Sequence, residues 1–134
     1  MRHLIAAAVL CLTACSGGED LKNTEAAIAR FHQQVNAGQF DQIYVNAATD
    51  WKQAQSPRDS VKFLSAVRDK MGAFQSGETD GWRINYATGG SVAVVQYKSK
   101  FQKGDAIETF TYQLGEKAPT LVGYNINSNT LITR

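Results

Sequence analysis

Between Trp82 and Ser128 apolar and polar residues alternate, with breaks at Gly89-Gly90, Lys103-Gly104 and Gly115-Glu116-Lys117-Ala118-Pro119. Four strands result. Trp82, Ile84 and Tyr86 alternate on the first, and Ala93, Val95, Tyr97 and Phe101 on the second. Phe110, Tyr112 and Leu114 follow on the third, then Val122, Tyr124 and Ile126 on the fourth. Strand side chains repeat with period two, so a one-residue slip turns a whole row over. Two-residue turns at the first two breaks place Ile84 opposite Val95, Trp82 opposite Tyr97, and Tyr97 opposite Phe110. The five-residue loop sets Tyr112 opposite Val122 and Phe110 opposite Tyr124. Every loop length sends the apolar sets to one shared face. The stretch therefore predicts a four-stranded antiparallel meander with one buried side, covered by helices.

Upstream the apolar spacing changes to three and four, the signature of amphipathic helices. Ile28, Phe31 and Val35 mark a first helix, capped by Asn23 or Thr24 and ended by Ala37-Gly38. Phe40, Ile43, Tyr44, Ala47 and Trp51 form the stripe of a second, starting at Gln39. Ser56-Pro57 opens a third over Arg58 to Met71, which buries Leu64, Val67 and Met71 with Phe63 beside them. Gly72, Gly77 and Gly81 punctuate a loop into the sheet. Helices come first and strands follow, so the fold class is α+β, with three N-terminal helices packed on the sheet.

The first residues change the picture. Arg2 precedes an apolar run from Leu4 to Leu12, too short for a membrane-spanning helix of about 20 residues. The run ends in Leu12-Thr13-Ala14-Cys15, and this resembles the lipobox of bacterial lipoproteins at all four positions. The resemblance implies a signal peptide over residues 1–14 and a Cys15 that is acylated, by palmitate or a similar chain, as the mature N-terminus. Residues 15–23 then form the lipidated cysteine with a small polar tether, and residues 24–134 a single domain. In that family a residue other than aspartate after the cysteine directs the protein outward, and here Ser16 follows. The implied location is the cell envelope, on the periplasmic face of the outer membrane where there are two membranes. A conventional signal peptide cut after Ala14, leaving a free cysteine, is the alternative.

Composition narrows the chemistry. The chain has 134 residues, 43% hydrophobic and 19% charged, with a net charge of +2, and no block of like charge marks it for nucleic acid. Cys11 and Cys15 are the two cysteines, so the domain has neither a disulfide nor a thiol for nucleophilic or zinc chemistry. His32 is the one histidine after the leader, without partners at metal-ligand spacing. No cofactor or metal is expected.

Asn36-Ala37-Gly38-Gln39-Phe40-Asp41 resembles the junction of short helix, glycine, aromatic residue and aspartate found in cystatin-like cone folds of nuclear-transport-factor-like proteins. Val94-Val95-Gln96-Tyr97 through Phe101, Ile107-Glu108-Thr109-Phe110 and Val122-Gly123-Tyr124 are similar to a family of small uncharacterised bacterial lipoproteins and secreted domains. Many relatives carry a Trp before the last strand where Ala118-Pro119-Thr120 stands here. The resemblance implies a cone over about Thr24 to Ser128, with the sheet around the first helix, and no particular activity.

One polar residue interrupts the apolar face. Glu108 shares it with Phe110, Tyr112 and Leu114, opposite Ser99 and near Ile126. The ordinary expectation is a strand end open to water or paired with a helix Arg or Lys. The others are a buried carboxylate satisfied by tyrosine hydroxyls or loop amides, and a pocket acid of raised pKa meeting a ligand. Glu108 with Tyr97 and Tyr112 is thus the candidate ligand-binding cluster, with no catalytic role assigned. Lys98, Lys100 and Lys103 lie off this face, as solvated surface or a contact for anionic headgroups. The leading reading is a non-enzymatic, lipid-anchored module binding a protein partner or small ligand. The alternatives are an enzyme with an acidic residue in the cone, as in ketosteroid-isomerase-like relatives, and a structural domain that forms a homodimer.

Overall fold

The computed structural model describes residues 16–132; the leader and Cys15 lie outside them. Helix α1 spans Ser16–Asn36, followed by α2 (Phe40–Asn46), α3 (Thr49–Ala54) and α4 (Pro57–Met71). An antiparallel sheet follows, of β1 (Phe74–Asn85), β2 (Ser91–Phe101), β3 (Gly104–Leu114) and β4 (Thr120–Asn127), in that order across it. A single turn, α5 (Asn129–Ile132), ends the described chain. The class is α+β with an open four-stranded sheet, and four helices rather than three precede it.

The extra helix comes from a break in the stripe that starts at Phe40. Ala47 and Ala48 are extended, and the Ala48 N–H leaves the helix to bond Leu121 O at 2.9 Å. Both alanines are buried, so a buried N–H satisfied from β4 replaces the helical bond. The third expected helix begins as predicted. Ser56 Oγ accepts from Asp59 N at 3.1 Å, and Pro57 occupies the first turn.

The first helix starts earlier than its apolar stripe suggests, and Ser16 to Asn23 is helix rather than tether. Leu21 packs on the core, and Thr24, expected as a cap, is fully buried with its hydroxyl donating to Asp20 O at 2.8 Å. Tyr86 Oη donates to Asp20 Oδ2 at 3.1 Å, which ties these first turns to the sheet. The expected loop before the sheet is strand as well, because β1 starts at Phe74 and includes Gly77 and Gly81. Gly77 is needed where it stands: a Cβ there would lie 2.5 Å from the Tyr97 ring and 2.7 Å from Lys98 O.

Apart from Val122 on β4, the faces of the strands are as predicted, while the partners are displaced. Phe101 pairs with Gly104, so the turn is Gln102-Lys103, and Tyr97 faces Glu108 rather than Phe110. Ile84 faces Ala93, Trp82 faces Val95, and Tyr97 faces Thr79. The shifts of Ile84, of Trp82 and of Tyr97 against β3 are by two residues, which preserves the face of each side chain, and the irregularity between Thr79 and Gly81 adds one more residue where Tyr97 meets Thr79. Phe110 faces Tyr124 as expected, but a bulge after Thr111 sets Tyr112 against Leu121, so Leu121 enters the core in place of Val122.

The core has two parts. Ile28, Phe31 and Val35 of α1 meet Ile43, Trp51 and Leu64 from the other helices and Val95, Phe110 and Tyr112 from the sheet. Val67, Met71, Phe101 and Ala106 form the second part, toward the β2–β3 turn. Trp82 and Tyr86, expected within the covered face, are 49% and 57% exposed because α1 covers their end of the sheet with its first turns alone.

Candidate functional site

Glu108 occupies the middle of β3, two strand positions before Phe110, and its side chain is 0% exposed. The expectation of a strand end open to water is therefore corrected. The strand begins at Gly104, and the displaced register seats Glu108 between Tyr97 and Ile126 on the covered face. A carboxylate in that position has to be hydrogen-bonded. It is. Oε1 accepts from Ser99 Oγ and lies 2.7 Å from His32 Nε2, while Oε2 accepts from Tyr124 Oη.

Each partner is positioned by its own element. His32 sits one residue after Phe31 on α1 and is buried at 4% exposure. Phe74 stacks on its imidazole, centroids 3.5 Å apart and planes 2° from parallel. Asn36, one helical turn further on, holds Phe74 in place like a strand neighbour. Its Oδ1 accepts from Phe74 N at 2.9 Å and its Nδ2 donates to Phe74 O at 3.0 Å. Phe101 and Phe110 meet the imidazole edge-on, at 6.4 and 5.6 Å between centroids. With His32 protonated, the contact to Glu108 is a buried ion pair; with a neutral ring protonated at Nε2, it is a charge-assisted hydrogen bond.

The other two residues singled out from sequence are near but not joined to this carboxylate. Tyr97 is the cross-strand neighbour of Glu108, yet its hydroxyl donates to Gly77 O at 3.2 Å. Tyr112 lies deeper in the core, its ring stacked 6.2 Å from that of Phe110. The structure brings His32, Ser99 and Tyr124 to Glu108 instead. One signal for His32 stood in the sequence: a histidine beside a buried helical stripe and a glutamate on an apolar strand face each need a partner.

The buried acid acts on the phenols around it. Burial pushes the Tyr124 hydroxyl well up from its ordinary range, and the Glu108 charge and hydrogen bond push it further. Burial first and Glu108 second raise Tyr112, whereas Arg30 pulls it slightly down. Tyr97 is raised by burial, then by Glu25, Glu108 and Glu78. All three folded values lie above the unfolded one, so the neutral phenol is the form the fold prefers. That stabilisation is present below about pH 10 and is lost as the pH rises beyond it.

A Glu–His pair is suited to proton transfer, but it acts only where a substrate comes within hydrogen-bond reach. Here both carboxylate oxygens are engaged and the shell is aromatic. On the opposite face of the sheet lies an open groove of about 650 Å³. Glu78, Lys98, Ile107 and Asn127 form one row across all four strands at its floor, with Ser76, Lys100 and Asp105 beside it. Lys98 also pairs with Asp80 at 3.5 Å, both side chains solvated. Lys103 is turned aside, its ammonium donating to Asp69 O at 2.8 Å.

Among the described residues no group of three His, Cys, Asp or Glu side chains gathers as a metal site, and no helix is long and apolar enough to cross a membrane. No protein-family model and no curated protein matches the chain.

Proposed function

We propose that the chain is a lipid-anchored cell-envelope domain that binds a protein partner or small ligand and performs no chemistry of its own. Acylated Cys15 holds it at the membrane, on the periplasmic face of the outer membrane in a two-membrane envelope. The domain is read as a cystatin-like cone, with α1 along the inner face of the sheet.

The observation that carries the non-enzymatic reading is the closure around Glu108. An enzyme of this type needs an apolar pocket in which the acid meets substrate; here Ser99, His32 and Tyr124 occupy its oxygens, and Phe74 closes over His32. Recognition is assigned to the outer groove, whose mixed charges and Ile107 suit a peptide or small polar ligand with an apolar part.

Photo-crosslinking in intact cells tests this. A crosslinking side chain placed at Ile107 should give a discrete adduct, and one at exposed Lys62 on α4 should not. An adduct with a second copy of the chain would identify the partner as itself. Equal labelling at the two positions, or none at Ile107, would remove the groove as the binding surface.

A further inference from the structure

We propose that Trp82 and Tyr86 form a second membrane contact beside the lipid, so that the domain rests on the bilayer interface through the β1–β2 end of its sheet. The proposal rests on the reading of Cys15 as the lipid-bearing residue. Trp82, Ile84 and Tyr86 continue the inner row of β1 beyond the part that α1 covers. The pairs along the helix show where cover ends: Asn36 and His32 hold Phe74, Glu25 accepts from Thr79 at 2.6 Å, and Asp20 accepts from Tyr86. Past Asp20 one turn of helix remains. Trp82 and Tyr86 are left 49% and 57% exposed, whereas the other tryptophan, Trp51, is 3% exposed.

The anchor leaves the domain at this same place. A Cβ on Gly17 would sit 3.6 Å from Tyr86 Oη and 3.9 Å from Trp82 Cη2. Cys15 is two residues before Gly17, at most about 7 Å of extended chain. Acyl chains on Cys15 thus enter the bilayer next to both exposed rings. Trp and Tyr each join an apolar body to a polar N–H or O–H, the combination that settles at the headgroup level. Asp20, which accepts from Tyr86, sets a carboxylate beside the rings, so the surface fits zwitterionic lipid and the contact is interfacial rather than a basic attraction to anionic headgroups.

The arrangement has a consequence for binding. Ser76 in the groove is nine residues along β1 from Asn85, the neighbour of Tyr86, roughly 30 Å at about 3.3 Å per strand residue. Seating the aromatic end on the membrane points the groove away from it, toward soluble or opposing partners. A domain on a free tether would present all faces alike.

The test uses the mature protein, purified from membranes and reconstituted in phosphatidylcholine vesicles brominated on the acyl chains near the headgroup. Vesicle flotation reports the anchor, and tryptophan emission reports the contact. Wild type is expected to float and to lose most of its Trp82 emission to bromine, while Trp82→Phe floats equally and leaves only the unquenched emission of Trp51. Wild type that floats but emits alike in brominated and plain vesicles overturns the contact and leaves the anchor standing. Wild type that fails to float removes the anchor reading, and this contact with it.

Discussion

Replacing Phe110 with Ala is expected to destabilise the domain by about 3–5 kcal/mol, the range for truncating a core aromatic. Phe110 is 0% exposed at the centre of the inner face. Its ring meets Phe31 at 5.1 Å and Tyr124 at 5.1 Å between centroids, and His32 at 5.6 Å. Removal therefore opens a cavity between α1 and the sheet that backbone-bound neighbours cannot close. It also removes one wall of the shell around His32. Urea unfolding monitored by circular dichroism measures the loss. A change within about 0.5 kcal/mol, the range of a surface substitution, would mean that the ring is not core.

The second large effect is expected at Glu108. Glu108→Ala leaves the Ser99 and Tyr124 hydroxyls and the His32 imidazole facing an apolar void. Removing one member of a buried charged network costs about 3–5 kcal/mol, chiefly because the remaining groups stay buried without partners. Glu108→Gln keeps the shape but turns one acceptor oxygen into a donor. It should cost less, about 1–3 kcal/mol, the penalty of one unsatisfied buried group. The order Ala worse than Gln worse than wild type, read from unfolding midpoints, is the signature of a structural polar anchor. Two variants as stable as wild type would place the carboxylate in water and sink the account of the sealed interior.

The sequence made the faces of the sheet legible but not its partners, and the reason is the period of the strand. Moving the turn from Lys103-Gly104 to Gln102-Lys103 shifts the register by two, so alternation alone cannot tell the two hairpins apart. The register matters for the site, because it decides whether Glu108 faces Ser99 or Tyr97. The first half of β1 was hidden for a different reason. Gln75-Ser76-Gly77-Glu78 has no apolar member, and it is strand because β2 pairs with it and Asn36 fixes Phe74 at its start.

The polar cluster was half legible. Glu108 stood out as a carboxylate on an apolar row, but His32 is 76 residues away and only the packing of α1 on the sheet brings them together. Aromatic exposure was not legible at all. Alternation assigns Trp82 and Tyr86 to the inner face, and only the start of α1 at Ser16 determines that they lie beyond its cover.

The functional proposal stands or falls on what Cys15 carries, and the most direct measurement is the mass of the N-terminal peptide of the mature protein isolated from membranes. The predicted result is a peptide that begins at Cys15 and carries acyl chains on it. A mature chain that begins elsewhere, or an unmodified Cys15, would contradict the lipid anchor and with it the membrane-bound binding domain proposed here.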